Sequence, residues 1–234
     1  MKTSLPGAWR LYGRSAAFGL AVLLLVGTFG HLHPRSLPWM LKLTPWFLLL
    51  SGGLVVAPAA AVGGRRFLAW VAATYVFTFL AEAAGVATGA VFGAYAYGPT
   101  LGWAWLGVPL VIAFNWVMVI HGCYGLARRA VPRRLGRLRR PGYLGLTALL
   151  ATGFDVLLEP VAIRLDYWQW AGGDIPLQNY AAWFLIALLA AGFHPRDMSP
   201  SGDMGSAGRL GALFVGLQAM FFLTLQLVWH YSGT

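Results

Sequence analysis

The sequence predicts an all-α, polytopic transmembrane helix bundle of about seven spans with its N-terminus in the cytoplasm. Three observations carry that reading. Of the 234 residues, 59% are apolar and only 10% charged, whereas a soluble globular domain carries about 25% charged residues. Several apolar runs approach or exceed the roughly 20 residues that a helix needs to cross a hydrocarbon core of about 30 Å. No stretch alternates with the period of two that a membrane barrel requires. Helices satisfy every backbone polar group internally and are the spanning solution that remains.

The first apolar run, 16–30, follows Lys2, Arg10 and Arg14 and lacks an A-x-A cleavage site, so it reads as a retained span rather than a signal peptide. The spans expected are 16–32, 43–62, 67–88, 105–127, 143–163, 179–193 and 210–231, the sixth being the shortest, within one integral membrane domain covering 1–234. Connecting segments alternate in charge. The N-terminus, 63–66, 128–142 and 194–209 carry 3, 2, 7 and 2 Lys+Arg, and the opposite side only 3. By the positive-inside rule the N-terminus faces the cytoplasm and the C-terminal residues 229–234 face out, in a cytoplasmic (inner) membrane.

The net charge of +10 then belongs to arginines that orient helices and meet anionic lipid headgroups, and no nucleic-acid partner is expected. The segment 128–140, with seven arginines and Pro132, reads as a cytoplasmic loop, and 197–208 as a polar link before the last span. A lone Cys123 in an apolar run excludes an internal disulfide and says nothing of compartment. His31, His33, His121, His194 and His230 show no ligand spacing, so neither zinc nor haem is expected. Phosphate-loop, dinucleotide and Gly-x-Ser-x-Gly patterns are absent from the sequence.

Charges inside spans are costly and mark functional candidates. Three stand out: Glu82, Asp155 and Glu159. Asp155 and Glu159 are four apart, which puts them on one helix face with Cβ atoms roughly 5–6 Å apart, close enough to share a proton. Pro160 predicts an interrupted helix and a polar notch near the outer end. Glu82 reaches the same outer half if the third and fifth spans are neighbours. Asn115, inside the fourth span, can bond a carboxylate or hold a water.

Tyr95, Tyr97, Trp103 and Trp105 crowd one outer loop, and Tyr167, Trp168, Trp170, Tyr180 and Trp183 the other or its edge. An interfacial belt accounts for part of this concentration. Aromatic faces also stabilise carbocations and line slots for flat apolar ligands. Ala81, Gly85, Gly89 and Gly93 recur every four residues and are expected to permit close helix packing, the alternative being a smooth wall for a rod-like ligand.

The ordered blocks EAAGVATG (82–89), FGAYAY (92–97), DVLLEP (155–160), YWQW (167–170) and IPLQNY (175–180), with Trp183, resemble the membrane carotenoid 1,2-hydratases of the bacterioruberin and γ-carotene type. The likeness spans about residues 65–195. It departs at Glu159, where Asp is frequent in that family. The resemblance implies addition of water to the terminal 1,2 double bond of an acyclic ψ-end carotenoid, giving a tertiary alcohol, with no cofactor. It implies Asp155 and Glu159 as the acid/base pair, either with Glu159 donating the proton and Asp155 orienting water or in the reverse assignment, and Glu82 as a supporting or alternate acid. Asn115, Tyr95, Tyr97, Trp168, Trp170, Asn179, Tyr180 and Trp183 would line the end-group pocket. Expected partners are the carotenoid (lycopene, γ-carotene or an elongated derivative), water, membrane lipid and other carotenoid enzymes. The same protonation chemistry would serve an end-group cyclase; a proton-coupled lipid or small-solute transporter and a noncatalytic assembly partner are readings from other classes.

Overall fold

The computed structural model describes residues 6–195 and 205–232, with side chains from 12–195 and 208–232. Lys2 and most of the 197–208 link lie outside the described residues, as do the last two positions of the C-terminal tail. Among the described residues six α-helices appear in chain order: α1 (Pro6–Leu32), α2 (Leu37–Thr88), α3 (Leu110–Ala130), α4 (Arg139–Arg164), α5 (Leu177–Gly192) and α6 (Gly205–Ser232). Five are long and apolar enough to cross a membrane, and α5, with 16 residues, is shorter.

α2 is two helices in one. At a rise of about 1.5 Å per residue its length would be near 78 Å, far more than one bilayer. Gly64 breaks it, with φ 55° and ψ −146°, a conformation open to glycine alone. The chain doubles back there: Pro45, near the start of α2, abuts Gly102, just beyond its end. The limbs 37–63 and 65–88 cover the ranges expected for the second and third spans.

α3 is the axis of the bundle, packed against α2, α4 and α6. Its consecutive residues Val117, Met118, Val119 and Ile120 are all fully buried, a pattern seen only where a helix is enclosed on every side. Gly122 allows a close approach to α6, since a Cβ there would meet the Gly211 carbonyl and Val215. α4 pairs with α5, and α1 with α6. Outward faces are apolar, as at Phe18 and Phe29 of α1 and Met220 and Leu227 of α6, which suits contact with lipid tails.

Three sequence expectations are corrected. The fourth span begins at Leu110, not 105, because Trp105 belongs to a hairpin in which β2 (Ala104–Trp105) pairs with β3 (Val108–Pro109). Leu106 and Gly107 turn it with φ of 52° and 77°, the two positive values a type I′ turn needs. Second, the expected interruption at Pro160 is not seen: α4 runs through it to Arg164, one residue past the expected end of that span. Third, the aromatic outer loops are more than loops: β1 (Tyr95–Tyr97) pairs antiparallel with β4 (Trp168–Trp170), in register Tyr95↔Trp170 and Tyr97↔Trp168.

Candidate active site

The expected small-residue stripe has a different use. Gly89 (φ 67°) ends α2 by donating its N–H to the Gly85 carbonyl at 2.8 Å, the left-handed cap that glycine favours. The chain then turns through Gly93, which abuts Pro176 and Trp170, and comes back as β1. At Gly85 a Cβ would crowd the Phe92 ring and the Tyr95 hydroxyl. Its bare face thus leaves room for tyrosines to reach Glu82, one turn earlier.

Residues two apart on a strand share a face, and Tyr95 and Tyr97 accordingly converge on one oxygen. Both hydroxyls donate to Glu82 Oε2, that of Tyr97 at 2.7 Å. Burial and the nearby Glu82 charge push both phenols well above their usual range, so each stays protonated and able to donate. From α3, the Trp116 indole N–H donates to Glu82 Oε1 at 2.7 Å.

The same alternation on β4 aims two more donors at the second glutamate. Trp168 and Trp170 donate their indole N–H groups to Glu159 Oε2 at 3.0 and 2.9 Å. Asn179, in the first turn of α5, donates from Nδ2 to Asp155 Oδ2 at 2.7 Å and to Glu159 Oε1 at 3.2 Å. The i, i+4 spacing of the two acids brings both within reach of this one amide. Gln178 anchors the start of α5 by donating to the Ala90 carbonyl.

These groups surround a cavity of about 30 Å³, lined by Glu82, Tyr95, Tyr97, Asn115, Trp116, Glu159, Trp168, Trp170, Asn179 and Trp183 among others. That is room for about two waters. Trp116 and Trp183 stack at 3.7 Å, 25° from parallel, on one wall. A larger apolar cavity of about 120 Å³, between α1, the first limb of α2 and α6, shares Ile112, Asn115, Leu158 and Trp168 with the first.

Of the acids, Glu82 and Glu159 border the small cavity, while Asp155, fully buried, stands behind Asn179 and has Oδ1 without a partner. Glu82 does not arrive by direct neighbourhood of the third span and α4: α3 packs between them, and Trp116 and the β1–β4 pair close the gap. Asn115 borders both cavities, its buried Oδ1 unpartnered. Tyr180 is half-buried and outside the wall, whereas Trp103 and Trp105 are 83% and 64% exposed, as interfacial tryptophans are.

The sequence profile of the family described as carotenoid biosynthesis protein matches residues 43–231. The chain belongs to that family. A bisanhydrobacterioruberin hydratase of Haloarcula japonica is 32% identical over 183 residues, an alignment that takes in 73% of this chain and 58% of that relative. No solved structure matches the chain. Within this family member, sequence reasoning passed over Trp116, although an indole N–H at mid-span needs an acceptor and so pointed to an acid. It also left His121 and His194 unpaired; their Nδ1 and Nε2 lie 3.0 Å apart in a buried nest with Trp70 and Tyr124. Residues 73 apart in sequence offered no signal for that pairing.

Proposed function

We propose that this chain is a cofactor-independent carotenoid 1,2-hydratase, a hydro-lyase that adds water across the terminal double bond of an acyclic ψ-end carotenoid. The observation that carries the proposal is the pair Glu82 and Glu159, on separate helices, bordering one ring-walled chamber. The hydratase name of the Haloarcula japonica relative favours capture by water over ring closure.

In this mechanism the Glu159 carboxyl transfers its proton to C2, the less substituted alkene carbon. The π electrons form the new C–H bond and leave a tertiary cation at C1. Rings of Trp116, Trp168 and Trp170 stabilise it, each by about 0.5–2 kcal/mol. A water held by Asn115 bonds through oxygen to C1 and passes a proton to the Glu82 carboxylate, giving the tertiary alcohol. Glu82 and Glu159 each accept three bonds, but those from Tyr97 and Trp116 to Glu82 are 2.7 Å long against 2.9, 3.0 and 3.2 Å at Glu159, and the shorter set suits the group that begins the step as an anion. Asp155 acts through Asn179, holding the amide that sets Glu159. The polyene lies in the larger cavity, with its terminal double bond at the wall the two cavities share, formed by Ile112, Asn115, Leu158 and Trp168.

The topology proposed is seven spans, N-terminus in the cytoplasm, in the cytoplasmic membrane. It is supported by the division of α2 at Gly64, by α5 as the short sixth span, and by the arginine-rich segment between α3 and α4.

Expression in a lycopene-producing host tests the function. A pigment heavier by one water is the expected product. An isomer of unchanged mass would instead mark a cyclase, and unaltered lycopene would remove both.

A further inference from the structure

Hydration consumes one water per turnover, yet the acid chamber is roofed by β1, β4 and their aromatic side chains. Its neighbour is the larger cavity, whose wall is mostly Leu, Ile and Phe but includes three buried polar atoms without partners: His31 Nε2, Asn115 Oδ1 and Gln218 Oε1. They come from α1, α3 and α6. His31 Nδ1 lies 2.7 Å from the Gly27 carbonyl. A carbonyl only accepts, so Nδ1 carries the hydrogen and Nε2 presents a bare lone pair to the cavity. The two amide oxygens are also acceptors. All three sites therefore call for an O–H donor.

His31 is 7% and Asn115 9% exposed, so bulk solvent does not satisfy them. His31 nevertheless sits half a turn from the exposed His33–Arg35 stretch at the end of α1. Asn115 closes the other end of the series, since it borders the acid chamber as well. At roughly 10–15 Å³ for each water centre, a volume of about 120 Å³ has room for a file of several waters.

We propose that His31, Gln218 and Asn115 hold a file of water molecules that runs through the larger cavity and supplies the water added in the reaction. This rests on the hydratase reading above. Capture of the cation competes with loss of a proton, which returns the alkene, so a chain deprived of water still protonates its substrate but yields less alcohol.

The test uses full-length protein in lipid nanodiscs with lycopene in D₂O. Transfer of D⁺ to C2 labels both outcomes: loss of H⁺ from the same carbon leaves deuterated alkene, and capture by water gives deuterated alcohol. In His31→Phe and Gln218→Leu the ratio of alcohol to deuterated alkene is expected to fall about tenfold. His31→Gln, which keeps an acceptor, restores the ratio. An unchanged ratio in both variants overturns the file and leaves the hydratase reading intact. Weaker pigment binding at an unchanged ratio overturns it too, assigning the acceptors to a hydroxyl on the ligand. Neither label nor alcohol from the unaltered chain would remove the hydratase reading and the file with it.

Discussion

Replacing Glu159 by Gln separates chemistry from architecture. The amide oxygen still accepts the two indole N–H bonds from Trp168 and Trp170. What is lost is the third bond, at 3.2 Å from Asn179 Nδ2, because the new NH₂ group faces that donor. Leaving that buried N–H without its acceptor costs about 1–3 kcal/mol, still small against a typical stability of about 5–15 kcal/mol. The variant is expected to insert and fold. Its proton donor, however, is gone, and a positioned general acid contributes roughly 10²–10⁴ in rate. Alcohol formation in a lycopene-producing host, normalised to the amount of monodisperse protein extracted from membranes, should fall by that factor. Retention of more than about a tenth of the activity, a loss below 1.4 kcal/mol of barrier, would refute Glu159 as the acid.

Trp116→Phe keeps the ring against Trp183 but removes one donor from Glu82; a bond to a charged group is worth about 1.5–3 kcal/mol, so kcat should drop roughly 10- to 100-fold with pigment binding retained, as measured by product rate and fluorescence quenching. Gly122→Ala forces a Cβ against the Gly211 carbonyl and should destabilise the α3–α6 crossing by about 1–3 kcal/mol, read as a lower Tm in detergent. Gly145→Ala, with open space around it, is the control and should hold or raise Tm, since Ala is the better helix former. A reporter fused to the C-terminus should read as outside the cytoplasm, and a cytoplasmic signal would overturn the seven-span topology.

Some of the site was legible in the chain order. Glu82, Asp155 and Glu159 stand out as charges in apolar surroundings, and that contrast needs no coordinates. The pairing of Tyr95 and Tyr97 with Trp170 and Trp168 was not legible, because a three-residue strand is too short to show a period. Trp105 and Leu106 were drawn into the fourth span since apolar hairpin residues look like helix until the positive φ values at Leu106 and Gly107 are known. Pro160 was read as interrupting the helix, yet α4 carries it through to Arg164: a proline removes one i→i−4 bond, and the bonds on either side of it hold the helix. The spaced glycines after Glu82 were read as one helix face, although two of them lie at or beyond the end of the helix.

By itself the sequence determined the class of fold, because twenty-residue apolar runs with few charges permit only spanning helices in a bilayer, and it determined which acids were out of place. Only the tertiary structure decided which of those acids reach open space. α3 stands between α2 and α4, Trp116 and the β1–β4 pair carry Glu82 into the chamber with Glu159, and Asn179 screens Asp155 from it. Spacing along one helix fixes which side chains share a face, whereas the neighbour that each face meets depends on packing between segments far apart in the chain.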